Sequence, residues 1–379
     1  MRTLDFARTV CERHHPGLVK ALEDVPYAER EQPGSPVIKL FRACGGVGLL
    51  VPAEYGGQGA DPLTAIRVQR AIGSLSPSLA AAATMHHFTA AMLYALAAEP
   101  GRLTEAQLNL LRDVVPQQQL MASGWAEGRT RANVLTPSVT ARPVEGGYLL
   151  SGVKKPCSLS RSMDLLTASV AVPGTDGTPE LAVALVPASS PGLSVHPFWG
   201  SGVLAGAESD EVRLADVFVP EELVVRTAAD DPHRLDDLQT AGFVWFELLI
   251  SAGYAGAAGA LVGQVLEHGA GSAEERATLV VECEAAFGLL EGAARAARDE
   301  EPGEEAVAAV LVARYSAQET LVRVTQQALE LLGGMHFIRS FDAAHLAASV
   351  RPLAFHPPAR RATAEPLLGY FAGGPLELA

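Results

Sequence analysis

The period of the apolar positions changes twice along the chain. From residue 1 to 118 it is helical. The stretch AIRVQRAIGSLSPSLAAAATMHHFTAAMLYALAA (65–98) carries apolar residues at helical spacing, and Ser76–Pro77 predicts a break in it. Proline has no N–H to donate and disfavours helical geometry in the residue before it. PAEYGGQGADP (52–62) predicts a Gly-rich loop between helices. From 119 to 225 the pattern shortens. YLLSGVKKP, LLTASVAVPG, LAVALVPA and DEVRLADVFVP are brief, rich in Val and Leu, and bounded by Gly, Pro and Asp. They predict strands of a small β-barrel or sandwich. From 233 to 340 the helical period returns, and GEEAVAAVLVARYSAQETLVRVTQQALELLGG has acids in its first turn and Gly333–Gly334 past its end.

These changes divide the chain into a helical domain over 1–118, a β domain over 119–225 and a helical bundle over 226–379. One stretch, LLISAGYAGAAGALVGQVL (248–266), is uncharged and long enough to cross a bilayer. It also contains Ser251 and Gln264, and Glu247 and Glu267 stand at its ends. Gly253, Gly256, Gly259 and Gly263 fall on one helical stripe, which predicts close packing inside a soluble bundle rather than a membrane span.

Composition narrows the function. Of 379 residues, 48% are apolar and 19% charged, and the formal net charge is −14. That balance argues against nucleic acid or an anionic membrane as partner. Four scattered cysteines, Cys11, Cys44, Cys157 and Cys283, have no CxxC spacing, so neither a metal site nor a disulfide framework is expected. MRTLDFARTVCERHH lacks the apolar run of a secretory signal, and the expected location is cytoplasmic. DEEPGEE (299–305) reads as a solvated corner between helices.

The stretches GVGLLVPAEYGGQGAD (46–61), MASGWAEG (121–128), GGYLLSGVKKPCSLSRSMDLL (146–166), FWGSGVLAGAESDEVRLADVFVP (198–220) and QQALELLGGMHFIRSF (326–341) follow one another in sequence. Their order and spacing resemble the acyl-CoA dehydrogenase superfamily of flavoproteins. The resemblance implies an α+β multidomain fold: an N-terminal α-helical domain, a middle β-barrel domain and a C-terminal four-helix bundle. It implies FAD as cofactor, with Ser123, Trp125 and Ser158 at the flavin ring. It also implies a homodimer or homotetramer, because the stretch holding Gly333 and Gly334 touches the flavin of a neighbouring subunit in that family. Each of these residues has a plainer reading: the serines as strand-end hydroxyls, Trp125 as core, the glycines as a helix cap.

The chain also departs from the family. Its members abstract an α-proton with a glutamate held in one of two places. The late place falls on Pro357, and the early one on Phe246, with Glu247 next to it. One residue turns a helix by about 100°, so a local shift would bring Glu247 in. Glu247 is then either a buried base or a solvated acid near the start of a helix. Pro156 replaces a family tryptophan, and no Arg-x-x-Phe-Gly clamp is visible in 263–279.

A monooxygenase branch of the superfamily lacks the glutamate and uses histidines near the flavin. Arg351 to His356 resembles its late Arg-x-x-x-x-His segment, and His87 in MHHF resembles a second histidine, with His86 as runner-up. His356 is otherwise only the stop signal of a helix, set by Pro357 and Pro358. Three functions are therefore expected, in this order. The first is dehydrogenation of an acyl thioester on coenzyme A or an acyl carrier protein, with Glu247 as base and an electron-transfer partner; the stretch from Lys154 to Ser160 resembles carrier-dependent members serving secondary metabolism. The second is a monooxygenase fed reduced flavin by a flavin reductase, with His356 and His87 handling protons. The third is a non-redox scaffold or lyase-like member.

Overall fold

A computed structural model describes residues 1–128, 136–174, 178–226, 237–299 and 303–378. The N-terminal region holds helices α1 (Arg2–His14), α2 (Leu18–Glu23), α3 (Tyr27–Arg30), α4 (Val37–Ala43), α5 (Pro62–Leu75), α6 (Pro77–Ala97) and α7 (Glu105–Val114). The break at Ser76–Pro77 is present. Ser76 is extended, and its hydroxyl caps α6 by accepting from the Leu79 N–H at 3.1 Å. Proline at the first helical position gives up only an N–H that has no helical partner anyway. Buried Glu31 completes this corner by accepting from the Ser76 hydroxyl and from the Ser78 hydroxyl and N–H. Behind the cap, α6 is apolar on nearly every face and buried on nearly every face.

The middle region is a single mixed sheet of β1 (Met121–Gly124), β2 (Thr140–Val144), β3 (Gly147–Cys157), β4 (Leu165–Pro173), β5 (Pro179–Pro187), β6 (Leu193–His196), β7 (Asp210–Pro220) and β8 (Val224–Arg226). The strand order is β6-β7-β3-β2-β4-β5-β8, and β1 lies parallel to β4 off this path. A run such as LLTASVAV has no polar face to show to water, and β4 is accordingly covered on both sides. The β3–β7 ladder slips between Leu150 and Gly152 and again between Lys154 and Cys157. The second slip re-aims the chain just where the candidate site begins.

The C-terminal region holds α8 (Asp237–Glu267), α9 (Ala273–Asp299), α10 (Glu304–Leu332), α11 (Gly334–Arg339), α12 (Phe341–Ser349) and α13 (Ala364–Phe371). Three long helices form the bundle, and the short α12 packs on α8 and α10 as its fourth member. Helix α8 sits at the centre, against α5 and α6 on one side and α9 and α10 on the other. It is long and apolar enough to cross a membrane, yet most of that span is buried inside the protein. The glycine stripe is used over half its length. A Cβ at Gly256 would stand 2.1 Å from the Arg70 carbonyl oxygen, and one at Gly73 would stand 1.9 Å from that of Gly253. Gly259 and Gly263 meet no backbone, so the close approach ends there.

Gly256→Ala should therefore force α5 and α8 apart. Overpacking of this kind costs about 1–3 kcal/mol, and the melting temperature should fall accordingly. An unchanged melting curve would show that the two helices separate freely.

Candidate active site

The parallel ladder between β1 and β4 ends at Gly124 opposite Ala168. Beyond it the chain crosses to β3, where the Lys155 N–H donates to the Ala126 carbonyl at 2.8 Å and the Cys157 thiol lies 3.5 Å from the Ser123 carbonyl. Ser123, Trp125 and Ser158 thus lie on adjoining segments. The Ser158 hydroxyl meets that of Ser209 at 2.9 Å. The Trp125 indole N–H is buried and has no partner among the described residues. The main-chain N–H groups of Trp125 and Ala126 also have no partner among the described residues. A flavin ring presents acceptors along one edge, and the buried, unpartnered indole N–H of Trp125 is a donor of the kind such an edge takes.

Two features hold these segments in place. The turns at 158–163 and 204–209 interlock: the Leu159 N–H donates to the Ala207 carbonyl and the Ser160 hydroxyl to that of Glu208 at 2.7 Å. Leu159, Leu204 and Glu208 are all left-handed, at φ of 64°, 59° and 55°. Such strain in residues with a Cβ persists only where surrounding contacts enforce it, and it concentrates at functional sites.

The second feature is a buried ion pair. Lys154 reaches Glu127 at 2.8 Å and the Ser169 hydroxyl at 2.9 Å. Glu127 also accepts the Ser138 N–H and hydroxyl. Burial raises the Glu127 carboxyl, but its hydrogen bonds with Lys154 and Ser138 outweigh that and hold it at about 2. Sequence reasoning did not find this pair; its signal is a lysine at a covered strand position. Lys155 is committed too, to Glu211 at 2.7 Å. Both lysines of the Lys154–Ser160 stretch are thus paired within the chain.

On the bundle side, Glu247 is fully buried, so its reading as a solvated acid is overturned. Both carboxylate oxygens accept from Nη1 of Arg314, each at 2.8 Å. Burial pushes this carboxyl up, to about 7, against the opposing pull of Arg314. Nη2 of Arg314 donates to the Leu353 carbonyl at 2.9 Å and the His356 carbonyl at 2.6 Å. The Tyr315 hydroxyl holds the Pro358 carbonyl at 3.0 Å. Residues 353–358 are thereby tied to α10.

His356 does more than end a helix. Its ring lies between Phe246 and Tyr254, at centroid distances of 5.6 and 5.8 Å, and Nε2 meets the Tyr254 hydroxyl at 2.8 Å. Burial, with the nearby Arg314 charge, lowers this imidazole to about 3. Arg314 and Tyr254 were missed at the sequence level. Arg314 could have been found, because it falls on the apolar stripe of α10 with Val307, Val310 and Leu311.

The two neighbouring histidines separate. Nδ1 of His86 accepts the Met121 N–H at 3.1 Å, so Nε2 carries the proton and donates to the Val47 carbonyl at 2.9 Å. His86 ties α6 to β1. His87 packs against Phe41 and His86 with both nitrogens sealed and unpartnered among the described residues. Burial holds it well below its ordinary value. Gly333 ends α10 at φ 79°, and a Cβ on either Gly333 or Gly334 would meet open space.

The Glu127 clamp makes a pH prediction. Its folded value, about 2, lies below its ordinary value of 4.5. Its stabilising contribution is therefore complete above that ordinary value and is lost as pH falls toward the folded one. Glu127→Gln should narrow the gap in melting temperature between neutral and acid buffers. A variant whose melting temperature falls with acid as steeply as the wild type would refute the clamp.

Comparison with known proteins agrees with this fold. Residues 4–100 match the acyl-CoA dehydrogenase N-terminal domain and residues 245–355 the acyl-CoA dehydrogenase C-terminal domain. An isobutylamine N-hydroxylase of Streptomyces viridifaciens is 60% identical over 378 residues, covering 100% of both chains. A dibenzothiophene monooxygenase of Rhodococcus qingshengii is 32% identical over 189 residues, 48% of this chain and 43% of that one. XiaF from a Streptomyces species, solved with FADH2 and glycerol, superposes with a TM-score of 0.80 at 19% identity, over 99% of this chain and 98% of that one. The chain belongs to the acyl-CoA dehydrogenase family and is a flavin-dependent oxidoreductase.

Proposed function

We propose that this oxidoreductase is a two-component monooxygenase that hydroxylates the nitrogen of a small aliphatic primary amine. One observation carries the choice over acyl-thioester dehydrogenation. Of the two places where a dehydrogenase holds its base, one is Pro357 and the other adjoins a Glu247 whose carboxylate is committed to Arg314. The end-to-end likeness to an isobutylamine N-hydroxylase supports the substrate class.

Reduced flavin, delivered by a separate reductase, supplies two electrons. The overall change is amine plus O2 plus reduced flavin to hydroxylamine plus water plus oxidised flavin. FAD is the expected form, and Trp125, Ala126, Ser123 and Ser158 would hold the ring that FAD shares with FMN. Phe246, with Phe88 at 5.4 Å, provides apolar wall, and His356 stands beside it. Water exclusion by such a wall strengthens each polar contact made inside it.

The test is a coupled assay with a flavin reductase and isobutylamine. One hydroxylamine should form per O2 consumed when coupling is complete. Oxygen-independent desaturation of an acyl-CoA by the same preparation would overturn the proposal.

The oligomer expected from the family also has support. Met335, Phe337, Ile338 and Phe341 stand 51–75% exposed around the open glycine pair. An apolar patch of this kind rarely faces water in a finished assembly. We propose that a second copy covers it. Light scattering should give a dimer or larger, and Ile338→Asp should shift the mass toward one chain; a monomeric wild type would end the idea.

A further inference from the structure

The reading of His356 can be taken further, resting on the function just proposed. Its two ring nitrogens face different surroundings. Nε2 meets the Tyr254 hydroxyl at 2.8 Å. Nδ1 has no partner among the described residues, yet it is not among the sealed, orphaned nitrogens, as both of His87 are. It opens onto accessible space.

Which nitrogen carries the proton follows from the tyrosine. Tyr254 is 1% exposed, and its hydroxyl has no other hydrogen-bond partner among the described residues. If Nε2 were protonated it would donate to the phenol oxygen, and the phenol proton would be left sealed with no acceptor. Leaving a buried donor unmade is the costlier arrangement. Ionising the phenol does not rescue it, because burial pushes Tyr254 far above its ordinary value. Protonating both ring nitrogens fails as well, because Nε2–H would again face the phenol oxygen and strand the phenol proton, and the Arg314 charge opposes a second cation beside it. The remaining arrangement has the Tyr254 O–H donating to Nε2.

We propose that Tyr254 is a positioning residue that fixes His356 in the Nδ1-protonated tautomer, so that His356 serves as a hydrogen-bond donor to an oxygen atom of the bound reactants and not as a proton acceptor. The backbone of His356 is held by Arg314, and its ring by Tyr254 and Phe246. The donor direction is therefore fixed before any ligand arrives, which is the condition under which a single hydrogen bond contributes most to rate. The substrate amine would then have to enter neutral or lose its proton elsewhere.

The first test needs no turnover. In the full-length protein labelled with 15N-histidine, long-range proton–nitrogen spectra should show His356 with a protonated Nδ1 and a bare Nε2, assigned by the signal lost in His356→Asn. Tyr254→Phe keeps the ring and removes the hydroxyl. It should move His356 toward the Nε2-protonated form and leave the other imidazoles of the chain's 10 histidines in place. A wild-type ring protonated at Nε2, or a Tyr254→Phe spectrum identical to wild type, would overturn the proposal.

The second test separates donor from base. Asparagine places an amide near the position of Nδ1, and aspartate places an acceptor of the same shape there. His356→Asn should keep amine hydroxylation within about tenfold, while His356→Asp and His356→Ala should lose about a hundredfold, the scale for removing one oriented donor. If Asp outperforms Asn, or Asn is no better than Ala, the donor role is wrong. A wild-type enzyme inactive on amines would count against the functional reading alone, since the tautomer is read in the resting protein.

Discussion

A single buried ion pair, Glu247 with Arg314, sets the late segment of the chain against the bundle. Removing one partner of such a pair would leave the other charge stranded, at about 3–5 kcal/mol. Yet the pair as a whole adds little net stability over a well-packed apolar substitute. Its use here is orientation. A guanidinium has donors in a rigid plane, and Arg314 turns one nitrogen to the Glu247 carboxylate and the other to the Leu353 and His356 carbonyls. A lysine could not do this, having one compact head instead of a fork. Glu247 is thus the counter-charge for Arg314, and the imidazole is placed through Arg314 and Tyr254 together.

The sheet side is built on the same logic with different parts. Lys154 and Glu127 are an inward-facing pair that fixes the crossing from β1 to β3. The interlocked turns at 158–163 and 204–209 fix its neighbour. The sheet-side and the bundle-side groups are each held by a buried ion pair, and the sheet side by strained backbone as well. Rigid support of this kind holds polar groups in place without reorganisation.

Most of the architecture was legible from period alone. The two switches of apolar spacing, the cap at Ser76 and the stop at Gly333 are local effects, and local effects are written in neighbouring residues. The glycine stripe of α8 was half legible: Gly253 and Gly256 meet α5, but spacing along one helix does not say where its partner ends. The site was less legible, because its geometry joins residues a hundred positions apart. Tyr254 is one aromatic ring in an alanine and glycine helix, and nothing near it in sequence points to residue 356. His86 and His87 show the limit most sharply. They are adjacent and identical in type, but a turn of about 100° gives one two hydrogen bonds and the other none.

The meeting of α5 and α8 carries a mechanical consequence. Where Gly73 faces Gly253, backbone touches backbone. Such a seam contains no rotamers. An ordinary core answers a small push by letting a side chain hop between staggered wells; this one has nothing to hop. A displacement of α8 passes whole into α5, and through it to the N-terminal helices. At this seam the two helices shift together or not at all.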